Sequence, residues 1–239
     1  MLVYEQKVLS EAEHWQAKMV RRSSMFERAA KNWQTKINEK IPDKIHSIVT
    51  ESIKKMVQTT IIGSNLTTKK REQGNVSFEE REEHVRKIIT QYKRTAALEG
   101  AGTGAGGLLL GAVDFPLLLS IKIKCLFDIA SIYGYDIKNI EERVYILYIF
   151  HLAFCSDEHR EQIFHLLEKW NEQKKLVQDI DWQTFQQEYR DYIDLVKMLQ
   201  LMPGLGAVVG AYANYQLLDH LGEVAMNVYR LRALKYDRY

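Results

Sequence analysis

The chain has 239 residues, enough for one large domain or two small ones; at 46% hydrophobic and 27% charged it has ordinary globular composition, which excludes wholesale disorder. Lys+Arg 33 against Asp+Glu 31 leaves a formal charge of +2, so no basic excess marks a nucleic-acid binder. Two cysteines, Cys125 and Cys155, exclude a disulfide scaffold and fit a reducing compartment, and only three prolines favour long helices over a turn-rich β fold.

The N-terminus MLVYEQKVLSEAEHWQ is interrupted by Glu5, Lys7, Glu11 and Glu13, so it lacks the apolar core of a signal peptide and a cytoplasmic location is expected. Residues 4–40 carry a helical stripe of Val8, Trp15, Met19, Phe26, Trp33 and Ile37, with one wider step between Val20 and Phe26. The other face is basic: Lys18, Arg21, Arg22, Arg28, Lys31, Lys36 and Lys40. Such a face suits anionic lipid head groups; the simpler reading is a solvated face on a helix whose aromatics are core. Ile41-Pro42-Asp43 reads as a helix restart, and Ile45, Ile48, Val49, Ile53, Met56 and Val57 continue an apolar stripe to about Ile62. Residues 63–78 are polar and read as a loop. Ser77 and Glu80 then form a capping-box pattern that opens a helix over 78–98, with Val85, Ile88, Ile89 and Tyr92 inward. Its acidic start (Glu79, Glu80, Glu82, Glu83) and basic end (Lys87, Lys93, Arg94) complement the helix dipole.

Glycines then fall at 100, 102, 104, 106, 107 and 111, before a strongly apolar run over 115–130 whose polar stripe is Ser120, Lys124 and Asp128, with Lys124 and Asp128 spaced to pair. Gly134 and Asp136 mark a turn. Helices are expected over 140–154, 157–171 and 181–201; Pro203-Gly204 breaks the last, and 206–235 is a final helical stretch. No stretch alternates with period two, so the fold is all-α: a multi-helix globular bundle of one domain, 1–239, with a basic region 1–62, a polar loop 63–78 and a helical core 79–239. Gly111-Ala112-Val113 recurs as Gly206-Ala207-Val208; Leu126 and Ala130 recur as Leu221 and Ala225 at the same 95-residue offset. This echo suggests two glycine-headed helices packed on each other in the core. Glycines four apart (Gly100/Gly104, Gly107/Gly111, Gly206/Gly210) allow close backbone approach.

Neither of the two long apolar stretches makes a good membrane span: 100–121 contains Asp114, Pro116 and six glycines, and the uncharged 198–218 is diluted by Gln200, Pro203, Asn214, Gln216 and three glycines. Core burial is the simpler reading, with shallow insertion at an interface as the alternative. Gly102–Gly107 matches G-x-G-x-x-G, but helical sequence precedes it where a dinucleotide fold needs a strand; there is also no Gly-Lys-Ser/Thr. No cofactor is expected. His151, Cys155 and His159 are spaced by four, but a helix start at Ser156-Asp157 breaks the face and no fourth ligand is evident, so packing is favoured over zinc. Cys125 reads as inert core. Asp114, before Phe115-Pro116, reads first as a helix cap and second as a catalytic carboxylate, with Lys122, Lys124 or Asn214 as weak candidate partners.

At GAGTGAGGLLLGAVDFPLLLSIKIKCLFDIASIYGYD (100–136) and PGLGAVVGAYANYQLLDHLGEVAMNVYRLR (203–232), and at the N-terminal YEQKVLSEAEHWQ, the chain resembles the EcsC family over nearly its whole length. That family takes its name from a bacterial operon that also encodes the ATPase and membrane subunits of an ABC transporter, and it brings no accepted catalytic residues. The resemblance implies a bacterial, cytoplasm-facing helical protein working near a membrane transporter. The leading expectation is a non-enzymatic accessory protein on the inner face of the membrane, with anionic lipid or transporter subunits as partners and no nucleic acid. The alternatives are a hydrolase around Asp114 between the glycine-headed helices, and a lipid or apolar-ligand binding protein.

Overall fold

The computed structural model describes residues 2–20, 43–62, 76–104, 115–155, 157–173 and 206–237. In chain order these form α1 (Val3–Met19), α2 (Asp43–Ile62), α3 (Phe78–Gly104), α4 (Phe115–Tyr133), α5 (Ile140–Phe154), α6 (Asp157–Glu168), α7 (Trp170–Gln173) and α8 (Gly206–Leu231), the last running on into a π-helical turn Arg232–Tyr236. Among the described residues there is no strand, and the fold is all-α.

Local chemistry sets several boundaries as the sequence reads. Ser77 and Glu80 close a capping box at the start of α3: the Ser77 N–H donates to Glu80 Oε2 (2.8 Å) and the Glu80 N–H to Ser77 Oγ (3.2 Å). Asn139 caps α5 by accepting from the Glu141 N–H at 3.0 Å. Gly134 ends α4 at φ 100°, a left-handed position that a side chain resists, and the Tyr135 N–H reaches back to the Ala130 carbonyl at 3.0 Å.

α8 is the axis of the bundle. It packs most extensively on α3, and also on α1, α4 and α5. α3 and α8 are antiparallel, since Glu82 meets Arg230 near one end and Lys93 meets Asp219 farther along. Between these pairs Gly222 lets the helices close up: a Cβ there would lie 2.7 Å from Ile89 Cγ2. α4 is antiparallel to α3, with Tyr133 donating to Glu82 and Tyr92 to Asp128. It is parallel to α8, with Tyr133 stacked on Tyr229 (centroids 5.5 Å apart) and Lys122 and His220 both against Phe154. The two helices that share the 95-residue echo thus lie in contact in nearly matching register. α5 is antiparallel to α8, with Glu142 near Tyr229 and His220 Nε2 2.9 Å from the Ala153 carbonyl. From Tyr145 to Cys155 every residue of this segment is buried, as expected of a helix with no polar face. α1 crosses the end of the bundle where α3 begins and α8 finishes. α2 runs parallel to α4, its last turn held by Arg143 Nη1 on the Ile61 carbonyl (2.7 Å).

This topology gives the bundle two ends. The end of α3, the start of α4 and the start of α8 lie together at a glycine-rich end; the start of α3, the end of α4 and the end of α8 lie at the other.

Two boundaries differ from the sequence reading. The first helix ends at Met19, with Val20 as C-cap, instead of running over 4–40; the break falls where the apolar stripe has its wider step. Residues 21–42 lie outside the described residues. α3 continues beyond Leu98 to Gly104, taking Gly100, Gly102 and Gly104 into the helix, because packing along α8 outweighs their poor helix propensity. Residues 63–75 of the expected loop, the helix expected over 181–201 and the expected Pro203-Gly204 break also lie outside the described residues.

The contact at Gly222 makes a testable pair. Gly222→Ala should destabilise the fold by about 1–3 kcal/mol through overpacking, and Ile89→Ala by about 2–5 kcal/mol through a cavity. The double variant should lose less than the sum, as read by urea unfolding; strict additivity would show that the two positions do not touch.

Candidate functional site

At the end away from the glycines, the core is polar. Glu82, fully buried in the second turn of α3, accepts from Arg230 Nε and Nη2 (the latter at 2.7 Å), from Arg86 Nη2 (3.1 Å), and from the hydroxyls of Tyr4 (2.8 Å) and Tyr133 (3.2 Å). Arg230 also donates to Asn227 Oδ1 at 3.2 Å and lies 3.6 Å from Glu11. A second buried pair adjoins it. Glu142 accepts from Arg232 Nη1 and from the Tyr229 hydroxyl, both at 2.7 Å, while the Arg232 guanidinium lies 4.0 and 4.1 Å from the ring centres of Tyr135 and Tyr145.

Burial raises the Glu142 carboxyl above its usual range, opposed by Arg232. Burial works against the charge of both arginines, but their carboxylate partners more than offset it and both stay firmly protonated. The Tyr133 and Tyr229 phenols are pushed well up by burial, which keeps them as donors. Every oxygen of both carboxylates is engaged within the protein. This constellation is a clamp that ties α1, α3, α4, α5 and α8 together. Breaking it by Arg230→Met should cost about 3–5 kcal/mol, because the buried Glu82 loses its two-pronged Arg230 partner. The Glu82→Gln/Arg230→Met double variant should recover part of that loss in thermal unfolding; no recovery would contradict a direct coupling.

Sequence reasoning grouped Glu82 with the acidic first turns of its helix and Arg232 with a basic tail. The available signal was that Arg230 and Arg232 interrupt the apolar run VAMNVYRLRAL, where a charge needs a partner.

The candidates named from sequence are distributed as follows. Asp114, Gly107, Gly111, Arg21, Arg22, Arg28, Lys31 and Lys36 lie outside the described residues. Lys18 is exposed at the end of α1, on the side away from the glycines. Gly100 and Gly104 close α3, and Gly206 and Gly210 open α8, at the same end of the antiparallel pair. Lys122 and Asn214 are both buried, and Asn214 Nδ2 has no hydrogen-bond partner among the described residues. Lys124 does not join them: it lies 2.6 Å from Asp128, whose other oxygen accepts from Tyr92 at 2.7 Å, on a different face of α4. His151 is buried in α5, Cys155 caps that helix and His159 belongs to α6, so a bend separates the three. Among the described residues no group of three or more His, Cys, Asp or Glu is placed to hold a metal. Burial pushes the Cys125 thiol far up, leaving it protonated and inert.

Burial lowers the Lys122 amine to about 8. Its folded value therefore lies below its unfolded one, and stability present above the unfolded value is lost as pH falls through about 8. Lys122→Met should raise stability at pH 7 by roughly 1–3 kcal/mol. It should also remove this component of the melting-temperature profile between pH 8 and 10.5. A destabilised variant with an unchanged profile would refute the assignment.

Three large apolar side chains are exposed toward the glycine-rich end. Leu98 on α3 is 75% exposed, Leu117 on α4 47% and Tyr212 on α8 65%. The sequence entering and leaving here is uncharged over 100–113 and 198–218. Other exposed apolar residues, Leu2, Val3, Val76 and Ile140, lie at the opposite end among charged neighbours such as Glu5, Glu79, Glu80 and Glu141. Among the described residues no helix is long and apolar enough to cross a membrane. Along the side of the bundle, α2 and α4 enclose an open groove of about 920 Å³ floored by Ile48, Met56, Ile123 and Phe127.

The model of the EcsC protein family matches residues 6–234. Protein EcsC of Bacillus subtilis (strain 168) is 54% identical over 230 residues, covering 96% of each chain. Uncharacterized protein YdbA of the same organism is 34% identical over 143 residues, 58% of this chain and 53% of that one. No solved structure matches the chain.

Proposed function

The chain belongs to the EcsC protein family, and from that premise we propose that it is a non-enzymatic accessory protein. In this reading it associates peripherally with the cytoplasmic face of the bacterial membrane, beside a membrane protein such as an ABC transporter. The observation that carries the reading is the glycine-rich end, where Leu98, Leu117 and Tyr212 project into solvent. Exposed leucines gain by leaving water for the acyl boundary, and a tyrosine places its ring in apolar surroundings with its hydroxyl among head groups. Without a helix long enough to span among the described residues, shallow insertion is the mode this surface supports. The basic stretch over residues 18–40 adds salt-sensitive attraction to anionic lipid. Its residues are distinct from Leu98, Leu117 and Tyr212, so the two contributions are separable by mutation.

The full chain should co-sediment with phosphatidylglycerol-containing vesicles. Leu98→Ser/Leu117→Ser/Tyr212→Ser should weaken this about tenfold or more, the equivalent of at least ~1.4 kcal/mol of lost apolar burial, at any salt concentration. Glutamine at Lys18, Arg21, Arg22, Arg28, Lys31 and Lys36 should remove mainly the salt-dependent part. A folded chain that stays in the supernatant at low salt would overturn the reading.

A further inference from the structure

We propose that the groove between α2 and α4 binds a single acyl chain of a membrane lipid. The proposal rests on the membrane-surface reading above, because the chain would enter from the bilayer at the glycine-rich end.

Shape and chemistry together support it. α2 and α4 run parallel, so the groove extends along both, from Ser47 and Pro116 to Thr60 and Phe127. Over residues 116–127 of α4 that is roughly 16 Å at 1.5 Å per residue. Its volume of about 920 Å³ falls in the ligand-sized range. One mouth, at Pro116, adjoins exposed Leu117 at the same end of the bundle as Leu98 and Tyr212. The groove is therefore continuous with the surface assigned to the membrane.

The walls carry polar residues, and four of their hydroxyls are turned back onto their own helices. Ser52 donates to the Ile48 carbonyl (2.6 Å), Thr59 to Lys55 (2.7 Å), Thr60 to Met56 (2.7 Å) and Ser120 to Pro116 (2.8 Å). Lys124 is held by Asp128 at 2.6 Å, and Lys55 lies 3.9 Å from Glu51. Each hydroxyl turned back onto its own helix presents mainly methylene or methyl surface to the groove. A sugar, nucleotide or peptide backbone would leave its own polar groups poorly matched along such a wall, whereas an aliphatic chain has none to satisfy. The committed occupant is thus a hydrocarbon chain with its head group at the glycine-rich mouth.

The test uses the full chain and fluorophore-labelled lysophosphatidylglycerol with one palmitoyl chain, kept below its micelle concentration. Saturable binding, displaced by unlabelled lysolipid, is expected. Ser120→Trp and Thr59→Trp, both at exposed wall positions, should each weaken it at least tenfold while the melting temperature and vesicle co-sedimentation stay as in the wild type. The Leu98/Leu117/Tyr212 triple serine variant should lose vesicle binding yet keep the monomeric lysolipid. Absence of saturable binding, or binding indifferent to both tryptophans, overturns the groove assignment; this is also the outcome if a protein partner or another segment of the chain is the natural occupant. Lysolipid binding without any vesicle binding would overturn the membrane-surface reading and leave the groove site standing.

Discussion

The antiparallel contact of α3 with α8 is the constraint on which the rest of the bundle depends. At its middle, Gly222 removes a side chain so that Ile89 can fill the space. At its far end the contact is closed by a carboxylate and a guanidinium taken out of water together. Dispersion between closely spaced backbones and a charge pair that tolerates no mispairing act on the same two helices. Because α1, α4 and α5 each place a residue on the polar clamp or on α8 itself, fixing this one pair fixes the positions of three further helices.

The bundle is chemically polarised as a consequence. One end concentrates buried ions, phenols and stacked tyrosines drawn from several helices. The other end carries glycines, small residues and apolar side chains in solvent. A protein that acts by recognising a surface is well served by such an arrangement: the closed end supplies rigidity, while the open end and the groove leading from it present surface for contact. Lys122 and Asn214, buried toward the open end, are the groups that fit this division least comfortably, since both carry polar atoms into an apolar layer.

Much of the architecture was legible in the sequence. The capping box at Ser77, the turn at Gly134, the break after Phe154 and the pairing of Lys124 with Asp128 are local events, governed by residues within about one helical turn of each other. The echo between the Gly111 and Gly206 regions correctly suggested two helices in contact. In the sequence the candidate partners of Asp114 stand as alternatives, Lys122, Lys124 or Asn214; residues two apart on a helix face different ways, and only burial separates the interior amine of Lys122 from Lys124, held at the groove. The glycines at 100, 102 and 104 read as allowing close helix packing, but the expected end of the helix at Leu98 falls short of Gly104.

By itself the sequence determined the helical class, most helix starts and stops, and which stretches lack charge, because these follow from periodicity, capping chemistry and composition. Only the tertiary structure decided that Glu82 and Arg230, 148 positions apart, would be buried against each other. It alone decided that α2 and α4 would leave a groove between them, and that Leu98, Leu117 and Tyr212 would share one end of the molecule. The physical reason is that burial of a charge and exposure of a leucine are properties of packing between distant elements, and no local pattern encodes which helix will lie against which.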